Sequence, residues 1–253
     1  MRHFGLIGKS LGHSFSKKFF SAKFSAESIS ADYELIELDD ISNIRSVVQE
    51  RELSGFNVTI PYKESIIPYL DKLTTEAQEV GAVNCVVLKD GMLIGHNTDI
   101  TGIEASLEWL NTDNATRAMI LGSGGASKAV QYVLRKLNIA YTVVSRDESK
   151  GDTTYEKLSA TDIANHNIII NTTPLGMSPN VEEAPEIDYS AIGSEHKAFD
   201  LVYNPPQTQF LQRCKERGAS TMGGIMMLQT QAIASWHIWQ RELGMAKSEK
   251  ELN

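Results

Sequence analysis

The segment Leu121-Gly122-Ser123-Gly124-Gly125-Ala126 constrains this chain more than any other feature. It follows an apolar run at 118–121 that reads as a strand and opens a predicted helix at 126–137. Glycines in such a turn let the backbone approach a pyrophosphate closely, while the helix N-terminus turns its N–H groups and positive dipole end toward it. Ser127 stands where the G-x-G-x-x-G/A pattern places its third small residue. Taken alone, the motif also fits a purely structural strand-to-helix turn.

The sequence alternates strands and helices on both sides of this turn, as parallel sheets with helical crossovers require. Strands are expected at 4–8, 33–38 and 56–60, with a helix after Ser16 and a helical stretch at 41–51. Two apolar runs around Asp90-Gly91, within 86–95, predict a hairpin, which would supply an antiparallel edge. After the polar loop Asn97-Thr98-Asp99, a helix at 100–110 leads through the turn residues Asn111-Thr112-Asp113-Asn114 into a second alternating unit, with strands at 118–121, 141–145, 168–171 and 198–202. The fold class is therefore α/β, with a mostly parallel sheet expected over 1–99 and a doubly wound unit over 100–224. The final helix, over 225–243, carries Ile225, Leu228, Ala232, Ile233, Trp236 and Trp239 three or four residues apart and could pack on either domain. The tail at 247–253, polar and terminal, is expected to fray.

Composition narrows the function classes. With 24 basic and 32 acidic residues the formal charge is −8, which opposes general attraction to nucleic acid or anionic membranes, so an anionic ligand must be captured locally. Two cysteines, Cys85 and Cys214, are too few for a disulfide framework and lack zinc-site spacing, and six histidines, His13 and His96 among them, show no paired ligand spacing; no metal is expected. No apolar run approaches the ~20 residues of a membrane span, and the N-terminus reads directly into a strand, so a cytoplasmic protein is expected.

The strand ending near Ser145 is followed by Arg146-Asp147-Glu148-Ser149-Lys150, where an NAD site would place an acid on the ribose. Arg146 suits a 2′-phosphate and Lys150 adds a charge, which favours NADP; a solvated surface loop is the other reading. In the first half, Ser14 and Ser16 lie in the loop after the first strand, beyond which open α/β sheets bind ligands, though serines there also cap helices. Pro61 ends a strand and sets Lys63 at a helix start, where its charge opposes the dipole; an exposed lysine is the alternative. Asp99 could face Lys63 across a cleft and hold it charged, or simply cap the helix that follows.

These residues carry a family resemblance. His13-Ser14-Phe15-Ser16, the run 57–63, Gly81-Ala82-Val83-Asn84, the run 95–102, Gly122–Ala126, the run 171–177, Asp200-Leu201-Val202-Tyr203-Asn204-Pro205 and the run 227–232 appear in the order of the shikimate dehydrogenase family, which the chain resembles from end to end. The resemblance implies an N-terminal α/β substrate domain at 1–99, a Rossmann-like nucleotide-binding domain at 100–224, a final helix at 225–253 returning to the first domain, and NADPH-dependent reduction of 3-dehydroshikimate to shikimate on the route to chorismate and the aromatic amino acids. It implies Lys63 and Asp99 as the catalytic pair and Ser14, Ser16, Thr59, Asn84, Tyr203 and Gln231 as substrate contacts. The cofactor positions it implies are Gly122, Ser123, Gly124, Gly125, Ala126, Ser145, Arg146, Lys150, Leu201 and Gly224. Mixed amide and hydroxyl groups suit a hydroxylated ring, and two serines with a tyrosine can hold a carboxylate. Ser10 replaces a common proline of the family, Lys17-Lys18-Phe19-Phe20 departs from its pattern, and Ser145 and Asp147 replace a common Asn and Thr beside the cofactor arginine. The alternatives are an NAD-preferring quinate or shikimate dehydrogenase and a binding homologue without turnover. A small-molecule substrate, no nucleic acid, no membrane and a monomer or homodimer are expected.

Overall fold

A computed structural model describes residues 1–12, 14–110 and 117–245; His13, the expected turn at 111–114 and the tail at 247–253 lie outside the described residues. The chain forms two compact units. The first runs from Met1 to Thr98 and resumes at Ala232, and the second spans Asp99–Gln231.

In the first unit, β1 (Arg2–Gly8), α1 (Phe15–Ala26) and β2 (Ala31–Glu37) lead through a 3-10 turn at Ile41–Asn43 to α2 (Ile44–Glu50) and β3 (Leu53–Val58). There follow α3 (Tyr62–Ser65), a second 3-10 turn at Ile67–Tyr69, β4 (Lys72–Leu73), α4 (Thr75–Val80), β5 (Cys85–Lys89) and β6 (Met92–His96). The strand expected at 56–60 starts and ends earlier; at its end Thr59 N still donates to Ile7 O at 2.9 Å, but the Thr59 carbonyl turns to accept from Tyr62 N at 2.9 Å, around Pro61. The six strands order as β2-β1-β3-β5-β6-β4; β1 is parallel to β2 and β3, while β5 is antiparallel to β3 and β6. The hairpin β5–β6 is present, yet it is not the edge that the sequence led us to expect, since the short β4 pairs in parallel outside β6. Successive residues face opposite layers, so Cys85 and Val87 join an aromatic cluster with Phe4, Phe20, Tyr33, Trp236 and Trp239, while Val86 joins Ile7, Phe56, Val58 and Leu93.

In the second unit, α5 (Asp99–Trp109) precedes β7 (Arg117–Leu121), α6 (Gly125–Lys136), β8 (Ala140–Val144), α7 (Ala160–Ala164), β9 (Ile168–Asn171), β10 (Lys197–Asp200), α8 (Gln209–Glu216) and β11 (Ser220–Met222). The last helix, α9 (Ile225–Glu242), runs out of this unit into the first. The sequence placed the change of unit at 224/225, whereas it falls at 231/232; the Met227 carbonyl lies 2.5 Å from where a side chain on Gly102 of α5 would begin, which ties the first turns of α9 to the second unit. All five strands are parallel in the order β8-β7-β9-β10-β11. Thr153 adds a single parallel bridge to Val144 at the outer edge of β8, the position a third strand takes in the 3-2-1-4-5-6 order. The sheet core is aliphatic, with Met119, Leu121, Val144, Ile169 and Ala198 buried, as a sheet covered on both faces demands. Among the described residues no helix is long and apolar enough to cross a membrane.

Candidate active site

The order of the second sheet places its reversal between β7 and β9, and open α/β sheets bind ligands beyond the carboxyl ends of the strands at that point. The glycine turn leaves β7 there. Gly122 has φ +110°, which other residues rarely adopt, and a side chain on it would begin 2.7 Å from Thr172 Oγ1. Gly124 precedes α6 in an extended conformation, and Ser127 is fully buried, filling the place of the pattern's third small residue beneath the helix.

Side chains join the four strand ends around this turn. Ser123 and Ser145 hydroxyls meet at 2.8 Å, linking the turns after β7 and β8. Thr172 Oγ1 donates to Leu121 O at 2.8 Å, and Asn171 Nδ2 donates to Asp200 Oδ1 at 3.0 Å, linking β9 to β7 and β10. Asp200 is fully buried and also accepts from Val202 N at 3.0 Å and from the Thr208 hydroxyl. Burial pushes its carboxyl up to about 6, and the three donors oppose that shift. Leu201 follows directly, and Gly224 lies so close to it that a side chain would begin 2.2 Å from Leu201 O; only glycine is accommodated.

The loop after β8 disposes its charges unevenly. Asp147 caps a 3-10 turn, and hydrogen bonds from the Ser149 side chain and backbone, with Lys150 at 3.4 Å, hold its carboxyl below the usual range. Glu148 accepts from Lys157. Arg146 is exposed and, among the described residues, forms no ion pair, so the acids beside it are matched by lysines and its guanidinium is the cation left to meet an anion. Its charge opposes burial at Tyr155, whose phenol is pushed up to about 12.

The candidate residues of the first unit lie at one end of its sheet. Strands β1, β3 and β6 point the same way and β5 opposite, so the loops after β1, β3 and β6 and the start of β5 share an end. That end gathers Ser14, Ser16, Thr59, Lys63, Asn84 and Thr98. Ser14 caps α1, accepting from Ser16 N at 3.2 Å, so both sequence readings of it are compatible. Lys63 sits in the short α3, half-buried, with its carbonyl accepting from Val83 N at 2.7 Å. Asn84 is 3% exposed, and its Oδ1 accepts from Thr98 N at 2.7 Å and Thr98 Oγ1 at 3.2 Å.

Asp99 opens the second unit as the first residue of α5 and is 3% exposed, where its charge suits the helix N-terminus. Tyr203 lies in the loop after β10, and Gln231, on α9, donates to Leu228 O at 3.0 Å. Lys63 thus belongs to one unit and Asp99 to the other.

Sequence reasoning gave no role to Tyr33, Asn57, Thr98 or Ser235, which form a buried polar chain beside Asn84, nor to Asn171 and Asp200. The signal that could have found them was polarity out of place: Asn57 interrupts an apolar strand and Ser235 an apolar helix stripe. His96 is buried, and desolvation lowers its pKa. Among the described residues, no three His, Cys, Asp or Glu side chains gather as a metal site needs.

A glycine turn at the switch point of a parallel sheet, in a chain whose other unit displays a lysine, hydroxyls and an amide, defines a dinucleotide-binding oxidoreductase of the two-unit α/β class. Comparison with known proteins specifies it further. Residues 6–86 match the family model for the shikimate dehydrogenase substrate binding domain. A shikimate dehydrogenase (NADP(+)) of Methanosphaera stadtmanae is 36% identical over 93% of this chain and 90% of its own length. Shikimate dehydrogenase 1 of Peptoclostridium difficile superposes with a TM-score of 0.84 at 37% identity, over 95% of this chain and 92% of that one. The shikimate 5-dehydrogenase of Thermus thermophilus, solved with NADP(H) and shikimate, gives 0.85 at 27% identity over 95% and 94%. The chain belongs to the shikimate dehydrogenase family.

Proposed function

We propose that the protein is an NADP-dependent shikimate dehydrogenase, interconverting 3-dehydroshikimate and shikimate, with the first unit taking the substrate and the second the cofactor. The observation that carries the cofactor half is the combination of the Gly122–Ala126 turn at the switch point with an Arg146 guanidinium that no acid among the described residues matches. The residues present fit the cofactor: Gly122 and Gly224 leave room where any side chain would collide, and Ser145, Arg146 and Lys150 stand where the ribose end belongs. When bound, NADP supplies the hydride acceptor in oxidation and the hydride donor in reduction.

The chain's own residues then handle the proton and the positioning. In oxidation Lys63 Nζ accepts the proton of the reacting hydroxyl, and in reduction it returns a proton to the oxygen that develops charge. Asp99 orients that hydroxyl and the lysine. Ser14, Ser16 and Tyr203 donate to the ring carboxylate, and Thr59, Asn84 and Gln231 bind the ring hydroxyls. The reaction belongs in the cytoplasm, where Cys85 and Cys214, both buried and unpaired, stay reduced; its partner is a small-molecule acid, and the protein works as a monomer or homodimer.

A second reading, an NAD-preferring quinate or shikimate dehydrogenase, is favoured by one observation, the two acids Asp147 and Glu148 that follow Arg146. Initial rates with shikimate and with quinate, each with NADP⁺ and NAD⁺, separate the readings. We expect the highest kcat/KM with shikimate and NADP⁺. Equal use of both cofactors would remove Arg146 as a phosphate clamp, and ligand binding without turnover would make the chain a non-catalytic homologue.

A further inference from the structure

The buried polar chain of the first unit links separate elements of its fold. The Tyr33 hydroxyl, on β2, donates to Asn57 Oδ1 on β3 at 2.9 Å. Asn57 Nδ2 donates to Asn84 O at 3.1 Å and to Ser235 Oγ on α9 at 2.9 Å. Ser235 Oγ meets Thr98 Oγ1 at 3.1 Å, and Thr98 reaches Asn84 Oδ1 through both its N–H and its hydroxyl. Tyr33, Asn57, Asn84, Thr98 and Ser235 are each at most 5% exposed, and Ser235 is fully buried.

Backbone groups fix both amides in this chain. The Thr98 N–H can only donate, so the atom of Asn84 facing it is the carbonyl oxygen; the Asn84 carbonyl can only accept, so Asn57 faces it with Nδ2. The NH2 group is therefore the end of the Asn84 amide that faces away from Thr98. Ser235 is, among the described residues, the hydroxyl that touches both Asn57 and Thr98, and it stands four residues after Gln231 on the same helix. Removing its oxygen takes an acceptor from an Asn57 hydrogen and one of the contacts from the Thr98 hydroxyl in a buried site, where lost hydrogen bonds are felt most.

We propose that Ser235 is a positioning residue for the substrate: through Asn57 and Thr98 it holds the Asn84 amide in the orientation that presents Nδ2 to a ring hydroxyl. This rests on the function proposed above. Its effect passes through Thr98, so it acts on substrate affinity and leaves the cofactor alone.

The experiment uses the full chain and four variants, Ser235→Ala, Ser235→Cys, Thr98→Val and the Ser235→Ala/Thr98→Val double. Ser235→Ala is expected to raise KM for shikimate about tenfold, with KM for NADP⁺ changed less than about twofold and kcat falling less than KM rises. Cysteine, a weak donor of similar size, should give an intermediate KM. The double variant should be no worse than the worse single one, because both cut the same link. Unchanged KM for shikimate, KM values rising together for both ligands, or multiplied effects in the double variant would each overturn the proposal. Should Ser235→Ala fail to fold, Ser235→Cys and Thr98→Val carry the same comparison. Two readouts do not depend on turnover: the Thr98 amide should exchange its hydrogen about tenfold faster in Ser235→Ala, and the Asn84 side-chain NH2 resonances should shift. If the unaltered protein does not oxidise shikimate, the functional reading fails while these two decide the link itself, and their constancy would overturn it.

Discussion

The two units solve binding with different materials. The second offers backbone, with a glycine turn, a helix N-terminus and loops drawn together by Asn171 and Asp200, and a side-chain charge at Arg146 that no acid among the described residues matches. The first offers side chains, with serine hydroxyls, amides and Lys63 gathered at one sheet end and braced by buried polar contacts. Peptide N–H groups suit a pyrophosphate because any cofactor of this class carries one, whereas a ring with several hydroxyls needs donors and acceptors individually placed. On the proposed function, generic recognition falls to backbone and selective recognition to side chains.

The largest effect should come from the side-chain unit. Lys63→Ala is expected to lower kcat by about 10²–10⁴ with a far smaller change in KM for shikimate, because it removes the group proposed to carry the proton and leaves the other proposed contacts standing. Steady-state kinetics in both directions checks this, and an unaltered kcat would remove Lys63 from the chemistry. Next, Arg146→Ala should raise KM for NADP⁺ by about 10–100-fold and leave NAD⁺ nearly unaffected, since one charge-assisted contact to phosphate is lost. A matching loss with NAD⁺ would show that the second unit relies on this side chain for more than the phosphate, which would blur the contrast between the units.

Gly224→Ala tests the backbone side directly. Its new methyl would meet Leu201 O at 2.2 Å, a backbone atom that cannot swing away, so we expect about 1–3 kcal/mol of lost stability in denaturant titration and weaker NADP⁺ binding, with shikimate contacts untouched. The smallest effect concerns Asp200. Because its pKa is raised from 3.8 to about 6 in the fold, the native state holds the proton more tightly than the unfolded chain, and the contribution to stability is present at low pH and falls as pH rises from about 4 to about 6. Asp200→Asn cannot titrate. Measured by unfolding between those pH values and neutrality, the stability of this variant relative to the unaltered protein should therefore climb with pH and level off above about 6; a flat difference would mean that the three donors cancel the effect of burial.

The same division governs what could be read from residues alone. The glycine turn and the candidates Arg146, Lys63 and Asp99 could be picked out because each lies in a short motif whose near neighbours suggest its chemistry. The strand at 168–171 and the helix at 225–242 were legible because apolar spacing reports the periodicity of the backbone. The place of β4 at the sheet edge was not, since two residues carry no period of their own and pair only because β6 is already there. Nor was the Thr153 bridge that stands for a third strand, or the pairing of Glu148 with Lys157.

By itself the sequence determined the α/β alternation, the nucleotide turn and the kinds of groups that could move a proton, all of which depend on residues close together in the chain. Only the tertiary structure decided the strand orders, the position of the switch point and the orientation of the Asn84 amide. That amide is set by Thr98, and Thr98 meets Ser235, which lies 137 residues away in sequence. A hydrogen bond over such a distance depends on every element that brings its partners together, and no local pattern records it.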